Sequence, residues 1–141
     1  MTSPAVDLDR VKVGDSLPSL ELPPISRLNL ALYCGASGDH NPIHVDTDFA
    51  RAAGMPDVFA HGMLSMAWLA RLLTLWVPQP AIRDFSVRFA AITQVGERIT
   101  CAGRVVELLS KDGERCARVE VATTNQDGQT KLAGEALIAL A

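Results

Sequence analysis

Residues 63–77 read MLSMAWLARLLTLWV, and only Ser65, Arg71 and Thr74 among them are polar. A helix over this run is apolar on nearly every side, which is the pattern of a central helix surrounded by other structure. Pro78 and Pro80 stop it, because proline cannot donate its backbone nitrogen inside a helix. The run is too short to span a bilayer, which takes roughly 20 apolar residues, and it carries Arg71. Arg71 therefore needs a partner or an exit to solvent, and a structural ion pair is the expected solution.

Downstream of this helix the apolar period changes from about four to two. Phe85, Val87, Phe89 and Ala91 alternate with Ser86, Arg88 and Ala90. Ile99, Cys101, Gly103 and Val105 repeat the pattern, as do Ala117, Val119 and Val121, and then Leu132, Gly134, Ala136, Ile138 and Leu140. Alternation is the signature of half-buried strands. Lys111-Asp112-Gly113 and Gln126-Asp127-Gly128 fall between consecutive strands, and Asp-Gly is a strong hairpin signal. The second half thus reads as an antiparallel meander with one apolar face. The expected fold class is α+β, a long central helix wrapped by a curved antiparallel sheet. Spare apolar helix surface and open sheet edges call for a partner, so at least a homodimer is expected.

The chain has 141 residues, enough for one domain over residues 1–141, with 1–9 expected to be a flexible start. Hydrophobic residues make up 48%, which allows a substantial core. A net charge of −3 without a basic patch speaks against a nucleic-acid or membrane surface. Cys34, Cys101 and Cys116 are widely spaced, with no Cys-x-x-Cys pair for zinc or redox work. No signal peptide is expected from the polar, Asp-bearing residues 1–10, and a reducing cytoplasm is the simplest setting.

Upstream, Val11–Asp15 and Leu17–Leu22 suggest one or two short strands broken by Gly14 and Pro18. Ser26 can cap a helix to about Cys34, with Leu28, Leu32 and Tyr33 sharing a face. Gly35–Asn41 is loop chemistry, and Pro42 keeps Asn41 out of the helical region. Asp46 or Thr47 can cap a short helix that Gly54 and Pro56 end.

Asp39, Asn41 and His44 follow Gly38 in that tight loop. A carboxylate and an imidazole five residues apart across a Pro-directed turn can converge and hold one water between them, which suits general acid–base work. Gly62 opens the central helix, where backbone N–H groups lack intrahelical partners and can donate to a carbonyl oxygen gaining negative charge. A base and an oxyanion donor serve acyl hydrolysis and hydration of a conjugated double bond equally well. Each residue has a plainer reading: Asp39 and Asn41 can simply bond local backbone, His61 can bond backbone at the helix start, and so can Ser65. Cys34 beside the loop reads as a packed residue, and Trp68 and Trp76 as packing.

Residues 33–44, YCGASGDHNPIH, closely resemble the signature of the (R)-specific enoyl-CoA hydratases, the MaoC-like dehydratase family. AHGML at 60–64 resembles that family's second block. The resemblance implies the hot-dog fold, with Asp39 and His44 as the catalytic pair that activates water, Asn41 shaping their loop, and Gly62 N–H binding the thioester oxygen. His61 and Ser65 join them as candidate substrate-binding residues. It implies syn addition of water to a trans-2-enoyl thioester of coenzyme A or acyl carrier protein, giving the (R)-3-hydroxyacyl product, or the reverse dehydration. It implies no metal and no cofactor, since coenzyme A or phosphopantetheine is part of the substrate. Partner expectations are a homodimer or higher homo-oligomer, or a heteromer in which this chain is the catalytic hot-dog subunit. A hot-dog thioesterase is the alternative. Such enzymes place a carboxylate on or near the central helix, and residues 63–77 hold no Asp or Glu. A non-catalytic acyl-thioester-binding subunit is the third reading.

Overall fold

The computed structural model describes residues 6–140. Element order is β1 (Leu20–Glu21), α1 (Arg27–Ser37), α2 (Thr47–Ala52), α3 (Gly62–Trp76), β2 (Ile82–Phe89), β3 (Thr100–Lys111), β4 (Glu114–Thr124) and β5 (Thr130–Ala139). All strands join one antiparallel sheet in the order β1-β3-β4-β5-β2. Helix α3 lies against it, as its apolar run requires.

The core is built where the period-2 rows meet that helix. Val105, Val119 and Ala136 stand side by side across three strands, and all are buried. Leu69, Leu72 and Leu73 of α3 are buried with them in one apolar cluster. Each fully buried leucine contributes about 1.5–3 kcal/mol relative to an exposed one. Asp112 and Gly113 both take positive φ (53° and 77°), the two-residue hairpin geometry that an Asp-Gly pair favours. The second Asp-Gly turn is longer and is organised by Asn125, whose side-chain oxygen accepts from Asp127 N and Gln129 N.

Strand β2 departs from the expected meander. It pairs with β5 rather than with its sequence neighbour β3. The segment after β2 is too long for a hairpin and carries no Asp-Gly. It instead runs over the sheet end, where Ala60 N donates to Thr93 O and Ile25 N donates to Glu97 O. Gly134 lets β2 approach, because a Cβ there would lie 2.0 Å from Ser86 O.

Helix α1 is capped by Ser26 and Asn29 in a reciprocal box and runs three residues past Cys34, to end on Gly38 at φ 76°. Its buried face is Leu30 and Cys34, not the expected Leu28 and Leu32, which are 65% and 63% exposed. The periodicity offered two apolar faces, and the core takes the other one. Asp46 caps α2. Helix α3 is not enclosed on every side: Met63, Ala67, Arg71, Thr74 and Leu75 are exposed. Arg71 exits to solvent, and no ion pair to it is found among the described residues. Of the expected flexible start, residues 1–5 lie outside the described residues. Asp7 caps a 3-10 turn at Leu8–Arg10, and Val6 and Leu8 pack partly against the core.

Candidate active site

Two loops meet above the N-terminus of α3. The first is shaped by short side chains bonding their own backbone. Ser37 Oγ accepts from Asp39 N, Asp39 Oδ1 accepts from Asn41 N, and Asn41 Oδ1 accepts from Ile43 N. Asn41 thereby caps the 3-10 turn Pro42–His44 that turns His44 inward. Asp39 remains exposed, while His44 is 8% exposed.

The second loop runs from Asp57 to His61. Arg27 of α1 holds its start, gripping the Asp57 carboxylate with two guanidinium nitrogens. That guanidinium holds the Asp57 carboxyl down to about 2. Phe59 then presents its carbonyl to His44, whose Nδ1–H donates to it over 2.8 Å. A carbonyl can only accept, so the neutral His44 ring carries its proton on Nδ1 and leaves Nε2 as an acceptor.

His61, 1% exposed, stacks on His44 with ring centroids 3.9 Å apart and planes 26° from parallel. Its Nε2–H donates to Asp39 O at 3.3 Å, and Cys34 Sγ lies 3.4 Å from the same nitrogen. Its Nδ1 is buried without a partner among the described residues. Burial first, then the neighbouring His44, pushes the His61 pKa below its ordinary value. A neutral His61 follows. The plainer reading of this residue, a histidine at the helix start bonding backbone, is the arrangement seen.

The sign of the pH effect is set by that shift. Around and below pH 6.5 the unfolded chain binds a proton at this position before the folded one does. Stability from His61 is therefore complete above that pH and lost as pH falls. Melting temperature between pH 7 and 5 is expected to fall more steeply for the wild type than for His61→Phe, which keeps an aromatic stack but cannot titrate. Parallel curves would contradict it.

The donor atoms of Asp39, His44 and His61 all lie within 4.8 Å of one another. Each histidine spends one ring nitrogen on a carbonyl and keeps the other for a small molecule.

Gly62 starts α3 with no side-chain cap, leaving the first N–H groups of the helix unpaired by it. Beside it opens a cleft of about 320 Å³, lined by Phe59, Gly62, Ser65, Phe89, Ile92 and Leu132 among others. Ser65 is buried in this wall. Phe89 and Ile92 are 52% and 45% exposed there. The structure thus brings Asp39, Asn41, His44, His61, Gly62 and Ser65 to one end of α3. The sequence reading missed Phe59, because a backbone carbonyl leaves no residue-type signal, and missed the cleft wall from Phe89 to Thr93.

Known proteins share this chain's sequence pattern and fold. The family model described as MaoC like domain matches residues 13–128. An (R)-specific enoyl-CoA hydratase of Rhodospirillum rubrum is 32% identical over 87 residues, covering 60% of this chain and 60% of that protein. The enoyl-CoA hydratase ChsH3 of Mycobacterium tuberculosis is 32% identical over 111 residues, covering 77% of this chain and 36% of its own length. The matches therefore span less than two thirds of these curated relatives. Among solved structures, the unliganded R-hydratase PhaJ1 of Pseudomonas aeruginosa superposes with a TM-score of 0.82 at 27% identity, over 96% of this chain and 86% of that one. The helix wrapped by a curled antiparallel sheet is the hot-dog fold, and the chain belongs to the MaoC-like domain family.

Proposed function

We propose that the protein is a hydro-lyase that reversibly adds water to a trans-2-enoyl thioester, giving the (R)-3-hydroxyacyl thioester. The carrying observation is the His44 Nδ1–H bond to Phe59 O, which leaves Nε2 as a base beside the Asp39 carboxylate and the N-terminus of α3. Two acceptors can both take hydrogens from one water, so its lone pair is aimed outward. Gly62 N–H supports the developing negative charge on the thioester oxygen. Water oxygen bonds to C3, the C2–C3 π pair shifts toward the thioester oxygen, and the proton leaves to the Asp39/His44 pair. Return of a proton to C2 from that same pair accounts for syn addition.

In this reading Asn41 and His61 hold the loop, Ser65 lines the substrate cleft, and no metal or cofactor takes part. The coenzyme A or phosphopantetheine arm belongs to the substrate. The names of the two relatives quoted above support the reaction class. No helix among the described residues is long and apolar enough to cross a membrane. A reducing cytoplasm suits the free, buried cysteines, Cys34, Cys101 and Cys116. Among the described residues the outer edge of β2 has no strand beside it, and a second copy pairing there would form a homodimer and cover part of the exposed apolar surface. A heteromer with another hot-dog chain would use the same edge.

Loss of the enoyl thioester absorbance measures the activity. Wild type is expected to turn over trans-2-enoyl-CoA, and Asp39→Asn to lose about 10²–10⁴-fold in kcat. No turnover on any chain length, or full activity in Asp39→Asn, contradicts the assignment. The thioesterase alternative places a carboxylate on or near the central helix, and α3 itself carries none.

A further inference from the structure

Lys131 is 2% exposed, an unusual place for an ammonium group, and the reaction as described makes no use of it. Its Nζ donates to Ile92 O at 2.8 Å and to Glu97 Oε1 at 3.0 Å. Its own carbonyl accepts from Ala90 N and Ala91 N at 2.8 and 3.1 Å. One residue at the start of β5 therefore grips the segment after β2 by both main chain and side chain.

That segment does two things near the site. Its residues Ala90–Thr93 form a wall of the cleft beside Gly62. It also holds the second loop: Ala60 N donates to Thr93 O at 2.9 Å, and Phe59 bridges to Gln94. Phe59 is the residue whose carbonyl fixes the His44 tautomer. The cleft is lined mainly by apolar side chains, and two of them, Phe89 and Ile92, are exposed. Such a lining suits the hydrocarbon arm of a thioester rather than the polar pantetheine arm.

We propose that the pair formed by buried Lys131 and half-buried Glu97 is a strut that sets the width of this cleft and so selects the length of the acyl chain. The proposal rests on the enoyl thioester reading above. Lys131 and Glu97 are positioning residues: they act through the wall, at Ile92, and touch no reacting atom. Removing either charge leaves Lys131 with only the Ile92 carbonyl, or Glu97 with only the Gln94 amide, and the wall moves to bring the remaining charge to water. Pockets discriminate chain length weakly, about 10-fold or somewhat more per methylene, so a small shift of the wall is readable as selectivity.

The test measures the ratio of kcat/KM for a long-chain over a short-chain enoyl-CoA in wild type, Lys131→Met, Glu97→Gln and Arg118→Met. A ratio cancels any loss of folded enzyme. Arg118 pairs with Glu107 and Glu135 on the sheet and serves as an ion-pair control away from the cleft. Glu97→Gln keeps shape and carries the test where Lys131→Met fails to fold. Amide hydrogen exchange at Ala60 and Ala90 is read in the same proteins. The expected result is a ratio shifted by about 5-fold or more in both strut variants, with faster exchange at both amides, and neither change in Arg118→Met. Ratios within about twofold of wild type overturn the selectivity role, and unchanged exchange overturns the strut itself. Absence of wild-type turnover with normal exchange changes in the variants would instead fault the enoyl thioester reading.

Discussion

Replacing His44 with Gln is expected to lower kcat for enoyl-CoA hydration by about 10²–10⁴-fold while leaving the melting temperature within a few degrees of wild type. Glutamine can still donate an N–H to Phe59 O from its amide, so the second loop keeps its anchor. It offers no base in place of Nε2, and the stack on His61 is lost. The effect should fall on kcat more than on KM, because the base is needed in the transition state and not for holding the acyl chain. An equal loss in folded stability would mean that His44 is chiefly a packed residue.

The largest effect on folding is expected at Gly134. A Cβ there would stand 2.0 Å from Ser86 O and 2.7 Å from Val87 Cα. Both obstacles are backbone, so no side-chain rotation can relieve them. Gly134→Ala must push β2 away from β5, breaking the register in which Val87 faces Gly134. A cost of about 3 kcal/mol or more is expected, at the upper end for overpacked sites. Thermal or urea unfolding measures it. Gly35→Ala is the contrast: it sits inside α1 with open space around it and is expected to be neutral or mildly stabilising.

Much of this molecule is legible in the sequence, for physical reasons that differ from place to place. The apolar run at 63–77 and the alternating rows after it could only be buried against each other, so the helix-on-sheet arrangement followed from them. The loop from Ser37 to His44 was legible because its turn chemistry is local: Ser37, Asp39 and Asn41 bond backbone within two residues. Non-local choices were harder to see. That β2 pairs with β5 depends on how the chain crosses the sheet end, and periodicity carries no information on strand order. Helix α1 offered Leu28 and Leu32 as well as Leu30 and Cys34, and only packing chose between them. His61 was singled out, but its work is to bond Asp39 O and support the His44 ring, which its spacing does not reveal. Lys131 reads as an ordinary strand-end lysine until its carbonyl partner at Ile92 is seen.

In the proposed reaction Asp39 and His44 deliver a single water to C3, not to the thioester carbonyl carbon. The most direct measurement is the fate of labelled water. Incubation of trans-2-enoyl-CoA with the protein in H₂¹⁸O should place the label on the C3 hydroxyl of (R)-3-hydroxyacyl-CoA, with the thioester intact. In D₂O the deuterium should sit at C2, on the face from which the hydroxyl was added. Label in a free carboxylate, with release of coenzyme A thiol, would contradict the account and make the same loop a hydrolase.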